Sequence, residues 1–131
     1  MNPFATFTEA RLREVGIAAA LGAAAVYLFI GLGFLAIGTS ASGAAPDLLS
    51  FGLTMAITYA VVAALLLRFR SRMVWIAVAA VQVIVIVGYF GLSSIRMPPV
   101  ELWGLVIKAC QAVVLISALS LVMRNRRGAV R

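Results

Sequence analysis

Four long stretches with no acidic or basic side chain, apart from one lysine in the last, constrain this chain more than any other feature. A helix needs about 20 apolar residues to cross the hydrocarbon core of a bilayer. A soluble domain requires a more charged surface than 11% charged residues can supply, so lipid is the expected solvent for most of the surface. The stretches are Val15–Pro46, Leu48–Leu67, Met73–Ile95 and, containing Lys108, Leu102–Met123.

The sequence therefore predicts an all-α membrane protein with four transmembrane helices in an up-down bundle. The first stretch is too long for the core of a cleaved signal peptide, and we interpret it as the first membrane helix. Residues 1–131 are expected to form a single four-helix transmembrane domain. The helices are expected at about residues 12–38, 47–69, 72–94 and 99–123.

The basic residues are distributed unevenly between the two ends of these helices. Only Arg96 falls in the two links that separate helices 1 and 2 and helices 3 and 4. The positive-inside rule then predicts cytoplasmic N- and C-termini, with the arginines at anionic lipid headgroups rather than on a nucleic acid. Abundant Arg, Ala and Val favour a bacterial source, and hence the inner membrane. The arginines on the predicted cytoplasmic side are Arg11, Arg13, Arg68, Arg70, Arg72, Arg124, Arg126, Arg127 and Arg131.

The residue types that carry most enzyme chemistry are scarce. The chain has no histidine, and its single cysteine, Cys110, is predicted to be a small apolar filler in helix 4. No acidic pair is placed for general acid–base work or for binding a divalent metal. We therefore expect no enzyme activity, no catalytic residues, no metal site and no cofactor. The four carboxylates all fall at the membrane edges: Glu9, Glu14, Asp47 and Glu101.

Polar residues inside the helices are the candidate site. Gly104, Lys108 and Gln111 follow Glu101 at 3-4-3 spacing, so the four residues share one face of helix 4. Gln82 of helix 3 falls at a depth comparable to that of Gln111. Helices 1 and 2 add Tyr27, Thr54, Thr58 and Tyr59 near the same level. The predicted ligand or partner contacts are Lys108, Gln111, Gln82 and Glu101.

Lys108 is the candidate residue with the largest energetic cost. Insertion of a charged lysine at the centre of a membrane helix costs about 2.5–3.5 kcal/mol, so its presence requires an explanation. Three explanations remain open at this point. The lysine snorkels outward or pairs locally with Glu101 or Asp47; it pairs with an acidic residue of another subunit; or it binds an anionic ligand or lipid headgroup.

The inner half of helix 1 is built almost entirely from small residues. Ala18 and Gly22, and Ala19 and Ala23, form small-xxx-small pairs that allow close approach of helix backbones. Bulky side chains are the usual lipid-facing residues, so this half is predicted to pack against another helix. That helix belongs either to the same chain or to a partner.

Three short motifs resemble the pattern of the GtrA-like proteins, which are linked to moving polyprenyl-phosphate sugars: RLREVG before helix 1, PP before helix 4 and RNRR after it. The aromatic residues expected after the basic cluster are missing, and no family is assigned. Four short helices leave little volume for a substrate path. The predicted function is an accessory or structural subunit of a larger membrane complex, with a membrane-protein partner or further copies of the chain. The alternative is a small oligomeric carrier or flippase component for an anionic or lipid-linked substrate.

Overall fold

A computed structural model of the chain describes residues 8–35, 39–40, 47–93, 96–97 and 101–129. Within these ranges it contains four α-helices, each long and apolar enough to cross a membrane. The prediction of an all-helical chain with four helices able to span a membrane is therefore confirmed, as expected of a multi-pass membrane protein. The helices are α1 (Glu9–Gly31), α2 (Leu48–Arg68), α3 (Arg72–Ser93) and α4 (Leu102–Ala129), with two short strands, β1 (Thr39–Ser40) and β2 (Arg96–Met97).

The first helix ends at Gly31, well before the predicted end at residue 38. Gly33 has a φ of 80°, in the left-handed region that favours glycine. Its N–H donates to the Ile30 carbonyl at 3.0 Å, and the Phe34 N–H donates to the Phe29 carbonyl at 2.9 Å. The rings of Phe29 and Phe34 meet edge to face at 6.0 Å. These bonds and the apolar contact are the Schellman arrangement that terminates a helix.

The other helix boundaries also have local causes. The α1 helix begins at Glu9, where the hydroxyl of Thr8 accepts from the Arg11 N–H at 3.3 Å. In α2, the Asp47 side chain accepts from the Ser50 N–H at 3.2 Å. The last helix runs past the predicted end at residue 123 to Ala129, because its basic tail is rich in arginine, a good helix former.

The two links of the predicted periplasmic side contact each other. Strands β1 and β2 pair in antiparallel orientation, with Thr39 opposite Met97 and Ser40 opposite Arg96. The α1–α2 link and the α3–α4 link are therefore joined by backbone hydrogen bonds. Residues 36–38, 41–46, 94–95 and 98–100 of these links, including Pro98 and Pro99, lie outside the described residues.

The helices do not pack equally on one another. Helix α1 packs along both α2 and α4, and α4 also packs along α3, whereas α2 and α3 share only a small contact. Where α1 and α2 cross, a Cβ atom added to Gly52 would overlap the backbone of Gly31. Near the other end of α1, a Cβ on Gly16 would lie 3.2 Å from the Cβ of Ser117 in α4. Glycine at these positions is what allows the backbones to approach.

The core combines aromatic, aliphatic and amide side chains. Two of its fully buried members are polar, Gln82 and Gln111, each 0% exposed. Most bulky apolar side chains elsewhere point away from the bundle, as expected of a surface solvated by lipid. The largest fully buried side chains are Trp75, Tyr59, Ile30, Leu66, Leu121, Gln82, Gln111, Val78 and Val114.

Candidate functional site

Two tyrosines and two glutamines form a buried hydrogen-bonded cluster that joins all four helices. The Tyr59 hydroxyl of α2 donates to Oε1 of Gln82 in α3 at 3.0 Å. In the same cluster, Nε2 of Gln111 in α4 donates to the hydroxyl of Tyr27 in α1 at 3.3 Å. The rings of Tyr27 and Tyr59 stack with their centroids 5.7 Å apart, and the Tyr59 hydroxyl also lies close to Gln111. The four side chains are therefore one connected unit, which we call the Tyr–Gln cluster.

Lys108 extends this cluster. Its ammonium group donates to Oε1 of Gln111, one helical turn further along α4. The same ammonium lies over the ring of Tyr89 in α3, 4.4 Å from the ring centroid. A cation at this distance from an aromatic face is stabilised by the ring quadrupole. Lys108 is thus held between α3 and α4 on the inner side of the bundle and does not lie on the lipid face.

A small, partly open cavity lies beside Lys108. It has a volume of about 40 Å³, measured as the space open to the centres of water molecules. That space holds about three waters, at ~10–15 Å³ each. The cavity is formed by the end of α1, the start of α2, the end of α3 and the start of α4. The lining residues are Tyr27, Ile30, Phe51, Tyr89, Glu101, Gly104, Ile107 and Lys108.

One acidic and one basic side chain line the cavity, Glu101 just before α4 and Lys108 within it. Glu101 immediately precedes α4 and lies two helical turns before Lys108. Gly104 lies between them, and a Cβ atom added there would overlap the hydroxyl of Tyr89. The absence of a side chain at Gly104 therefore lets the Tyr89 ring lie against α4 and reach the Lys108 ammonium.

Not every donor in this region has an acceptor. Within the described part of the chain, three buried nitrogen donors have no acceptor: Nε2 of Gln82, Nε1 of Trp75 and Nε of Arg72. All three residues lie on the buried face of α3, at spacings of three and seven residues. A buried donor without an acceptor lowers the stability of the fold, because it has lost its hydrogen bonds to water. These three side chains of α3 therefore each carry such a cost.

The structure brings the predicted contact residues together. Gln82, Gln111 and Lys108 belong to the Tyr–Gln cluster or its extension, and Glu101 shares the cavity with Lys108. Two other polar residues singled out in the sequence lie apart from the cluster. Thr54 is exposed, and the Thr58 hydroxyl donates to the Thr54 carbonyl within α2 at 2.8 Å.

The small residues predicted as a packing face of α1 are divided between the inside and the outside of the bundle. Ala23 is fully buried and Ala19 is half-buried against the core. Gly22 is half-buried, and a Cβ atom there would lie 3.7 Å from Sγ of Cys110 in α4. Ala18 is exposed. Inside this chain, the close-packing residues of α1 therefore face α2 and α4.

One of the arginines assigned to lipid headgroups has a different position. The Arg13 guanidinium donates to the Leu66 carbonyl from Nε at 3.0 Å and from Nη2 at 2.7 Å. Its Nη2 also donates to the Leu67 carbonyl at 2.7 Å. These carbonyls are at the C-terminal end of α2, where helix acceptors have no partner within the helix and attract a cation.

Two features of the site are missing from the sequence-based set, Tyr89 and the crossing of Gly31 with Gly52. Tyr89 lies under the Lys108 ammonium, and its spacing of seven residues from Gln82 places it on the same face of α3; that spacing could have identified it. The Gly31–Gly52 crossing could not be identified in this way, because many glycines of the chain occur in similar apolar surroundings.

One stripe along the outer face of α3 is made mostly of small residues, although bulky side chains such as Ile84 and Val87 are exposed on the same helix. Gly88 and Gly91 are exposed, and a Cβ atom on either would have no atom of the described chain within 4 Å apart from its own helix and neighbours. Ala77, Ala80 and Ile84 continue the same side of the helix at spacings of three and four residues. This side is opposite to the one that carries Trp75 and Gln82. We call these five residues, from Ala77 to Gly91, the α3 outer stripe.

The comparisons with known proteins supply no relative: no protein-family model, no curated protein and no solved structure matches the chain. In the parts of the chain that the structure describes, no group of three or more His, Cys, Asp or Glu side chains lies together. Functional inference therefore rests on the geometry of the Tyr–Gln cluster, the cavity and the α3 outer stripe.

Proposed function

We propose that this chain is an accessory or structural subunit of a larger membrane assembly and that it associates with its partner through the α3 outer stripe. The observation that carries the proposal is the pair of exposed glycines, Gly88 and Gly91, where an added Cβ atom would meet no other helix of the described chain. Glycine in a helix interior costs about 1 kcal/mol relative to alanine. In the part of the chain that the structure describes, no packing contact offsets that cost at these two positions.

Packing of a partner helix against these glycines would explain their presence at exposed positions. Small residues on a membrane helix allow two backbones to come close enough for extensive van der Waals contact, the main source of association in lipid. Other exposed positions carry bulky residues, such as Ile57 and Leu67 of α2 and Val87 of α3. Such side chains are the usual neighbours of lipid. The small residues of the α3 outer stripe are therefore the positions at which a partner backbone would approach most closely.

We propose the following membrane arrangement for this subunit. The helices run up and down, with both termini in the cytoplasm of a bacterium and the bundle in the inner membrane. The arginine asymmetry supports this orientation, and so does the pairing of β1 with β2, which joins the two links that carry few basic residues. The cytoplasmic arginines that do not cap a helix contact anionic headgroups.

A second candidate function is favoured by the cavity. Lys108 is a cation in the membrane interior next to a space that holds water-sized groups, and such residues commonly mark substrate or ion pathways. A carrier or flippase component would use this position to bind a charged or lipid-linked group. Since the cavity is small in one chain, this activity would require additional copies or a partner. Neither candidate assigns a catalytic role to the chain.

The association is tested by bulky substitution. Gly88→Leu places a large side chain in the α3 outer stripe, and Ala60→Leu is the matched control at an exposed position of α2. In lipid nanodiscs prepared from mildly solubilised membranes, native mass spectrometry should find the parent above the 13.8 kDa of one chain. The excess mass should correspond to a second copy or a partner at fixed stoichiometry.

We expect Gly88→Leu to shift most of the protein to the single-chain mass, because the leucine would separate the two backbones. Ala60→Leu should assemble as the parent does. If the parent is a single chain in nanodiscs, or if Gly88→Leu and the parent assemble equally, the proposal is wrong. Equal thermal unfolding temperatures of the two leucine variants would show that the difference concerns association and not folding.

A further inference from the structure

We propose that the cavity beside Lys108 binds a small zwitterionic group, an ammonium joined by a few bonds to a carboxylate or a phosphate. This chemistry occurs in a free amino acid and in the headgroup of an aminophospholipid. The inference goes beyond the proposed subunit role, because it concerns the interior of the bundle and not the α3 outer stripe. It rests on the charges, the aromatic rings and the size of the cavity.

The charges of the cavity select the ligand. Lys108 attracts an anion, but Glu101 lines the same space and repels one. A simple cation is attracted by Glu101 but repelled by Lys108. A ligand with both charges gains at each end, with its oxyanion toward Lys108 and its ammonium toward Glu101. An anionic ligand, which is one of the three explanations that the sequence leaves open for Lys108, does not account for the carboxylate in the cavity.

The geometry of α4 gives the two charges a suitable separation. Glu101 and Lys108 are seven residues apart on one face, a rise of about 10 Å along the helix. An ammonium and an oxyanion a few bonds apart, each in hydrogen-bond contact with one of these two side chains, span a distance of this order. The bond from the ammonium to Gln111 and the contact with the Tyr89 ring fix the orientation of the lysine.

Aromatic rings at the cavity suit the cationic end of such a ligand. Tyr27 and Phe51 line the side formed by α1 and α2, with their ring centroids 5.8 Å apart and nearly perpendicular. An ammonium near an aromatic face is stabilised by about 0.5–2 kcal/mol, more when it is desolvated. A plain anion receives no such stabilisation from the ring faces.

Size limits the bound group. A space of about 40 Å³ for water centres holds about three waters. Each water occupies ~30 Å³ of liquid, so the displaced group has a volume of roughly 90 Å³. A glycine zwitterion or the polar part of an ethanolamine phosphate has about this size. The cavity is partly open, which allows the acyl chains of a lipid to remain outside it.

The test uses the full-length protein, purified in detergent and stripped of lipid, with thermal unfolding as the readout. Glycine and O-phosphoethanolamine are the zwitterionic probes, and inorganic phosphate and ethanolamine are the single-charge probes. In the lipid arm, native mass spectrometry counts bound phosphatidylethanolamine and phosphatidylglycerol. We expect the zwitterionic probes, or phosphatidylethanolamine, to raise the unfolding temperature or remain bound. The single-charge probes and phosphatidylglycerol should be at least about tenfold weaker.

The two arms distinguish the sources of the ligand. A response to the soluble zwitterions indicates a free solute, whereas a response to phosphatidylethanolamine alone indicates a lipid headgroup. Lys108→Met and Glu101→Gln should each weaken binding by about tenfold or more. Their matched controls, Arg68→Met and Glu14→Gln, alter exposed charges outside the cavity and should leave binding unchanged.

Three results would contradict the proposal: no response of the folded parent to any zwitterion, equal binding of phosphatidylglycerol and phosphatidylethanolamine, or binding that both cavity variants retain. Because Glu101→Gln changes a half-buried residue that precedes α4, it should fold even if Lys108→Met does not. The result is also independent of the association test, since Gly88→Leu should bind the zwitterion as the parent does.

Discussion

At the scale of single residues, the Tyr–Gln cluster depends on a few hydrogen bonds in a place where water cannot easily replace them. Gln82 is 0% exposed, and its Oε1 accepts a hydrogen bond from the Tyr59 hydroxyl. Loss of one partner from a buried polar pair leaves the other unsatisfied, which costs more than loss of both. Interhelical hydrogen bonds in membranes contribute about 0.6 kcal/mol on average, with a maximum of about 1.7.

We predict that Tyr59→Phe lowers the free energy of unfolding by about 1 kcal/mol. The double variant Tyr59→Phe/Gln82→Leu should lose less than the sum of the two single variants, because it leaves no unpartnered amide in the core. Reversible unfolding in mixed micelles gives the four stabilities. Thr58→Val is the control, since its hydroxyl bonds within α2; it should be nearly neutral. Strict additivity would mean that the Tyr59–Gln82 bond contributes nothing.

At the scale of helices, the crossing of α1 and α2 is set by a pair of glycines. The backbone of Gly31 occupies the space in which a Cβ of Gly52 would lie. The carbonyl of Tyr27 lies against the same position. This contact between backbones also brings Tyr27 and Phe51 into ring contact at the cavity, so the crossing positions one wall of the candidate site.

Gly52→Ala should therefore destabilise the protein by about 1–3 kcal/mol, as overpacking of a close contact does. Thermal unfolding in detergent is the measurement. Gly22→Ala is the matched control, because its added Cβ would lie at an ordinary contact distance of 3.7 Å from Cys110; it should be neutral or slightly stabilising. Equal unfolding temperatures for both variants would show that α1 and α2 separate at no cost.

At the scale of the whole molecule, the pairing of β1 with β2 restrains the relative positions of the helices, and the hydropathy of the sequence does not predict this pairing. It joins the links that follow α1 and α3. The tight turn between α2 and α3, residues 69–71, lies between two helices that hardly touch. The contact between α1 and α4 is thus central to the bundle. Helix α2 packs mainly on α1 and helix α3 mainly on α4, and α3 exposes its outer stripe.

The proposed topology predicts the result of cysteine labelling in intact cells, in a Cys110→Ser background. A membrane-impermeant maleimide should label Thr39→Cys in the α1–α2 link from outside, because this link carries no arginine. Ser71→Cys, in the arginine-rich turn between α2 and α3, should react only after the cells are permeabilised. External labelling of Ser71→Cys would invert the proposed orientation.

The sequence by itself determined the class of protein. Uncharged stretches of about 20 residues and longer cross a membrane whatever their neighbours are, so the four helices could be predicted from local composition. The shared helix face of Lys108 and Gln111 followed from the 3.6-residue period. The end of α1 at Gly31 was also a local property, the effect of Gly33, but one glycine among many gave no reliable signal.

Only the tertiary structure decided how the helices are rotated and which neighbours they meet. In lipid, both a core-facing and a lipid-facing residue are apolar, so hydropathy does not distinguish the two sides of a membrane helix. The small residues of α1 were candidates for a partner face, yet Ala23 is buried in the chain itself. Gly88 and Gly91 face outward instead, and the contacts of Tyr59 with Gln82 and of Lys108 with Tyr89 depend on residues brought together from distant parts of the sequence.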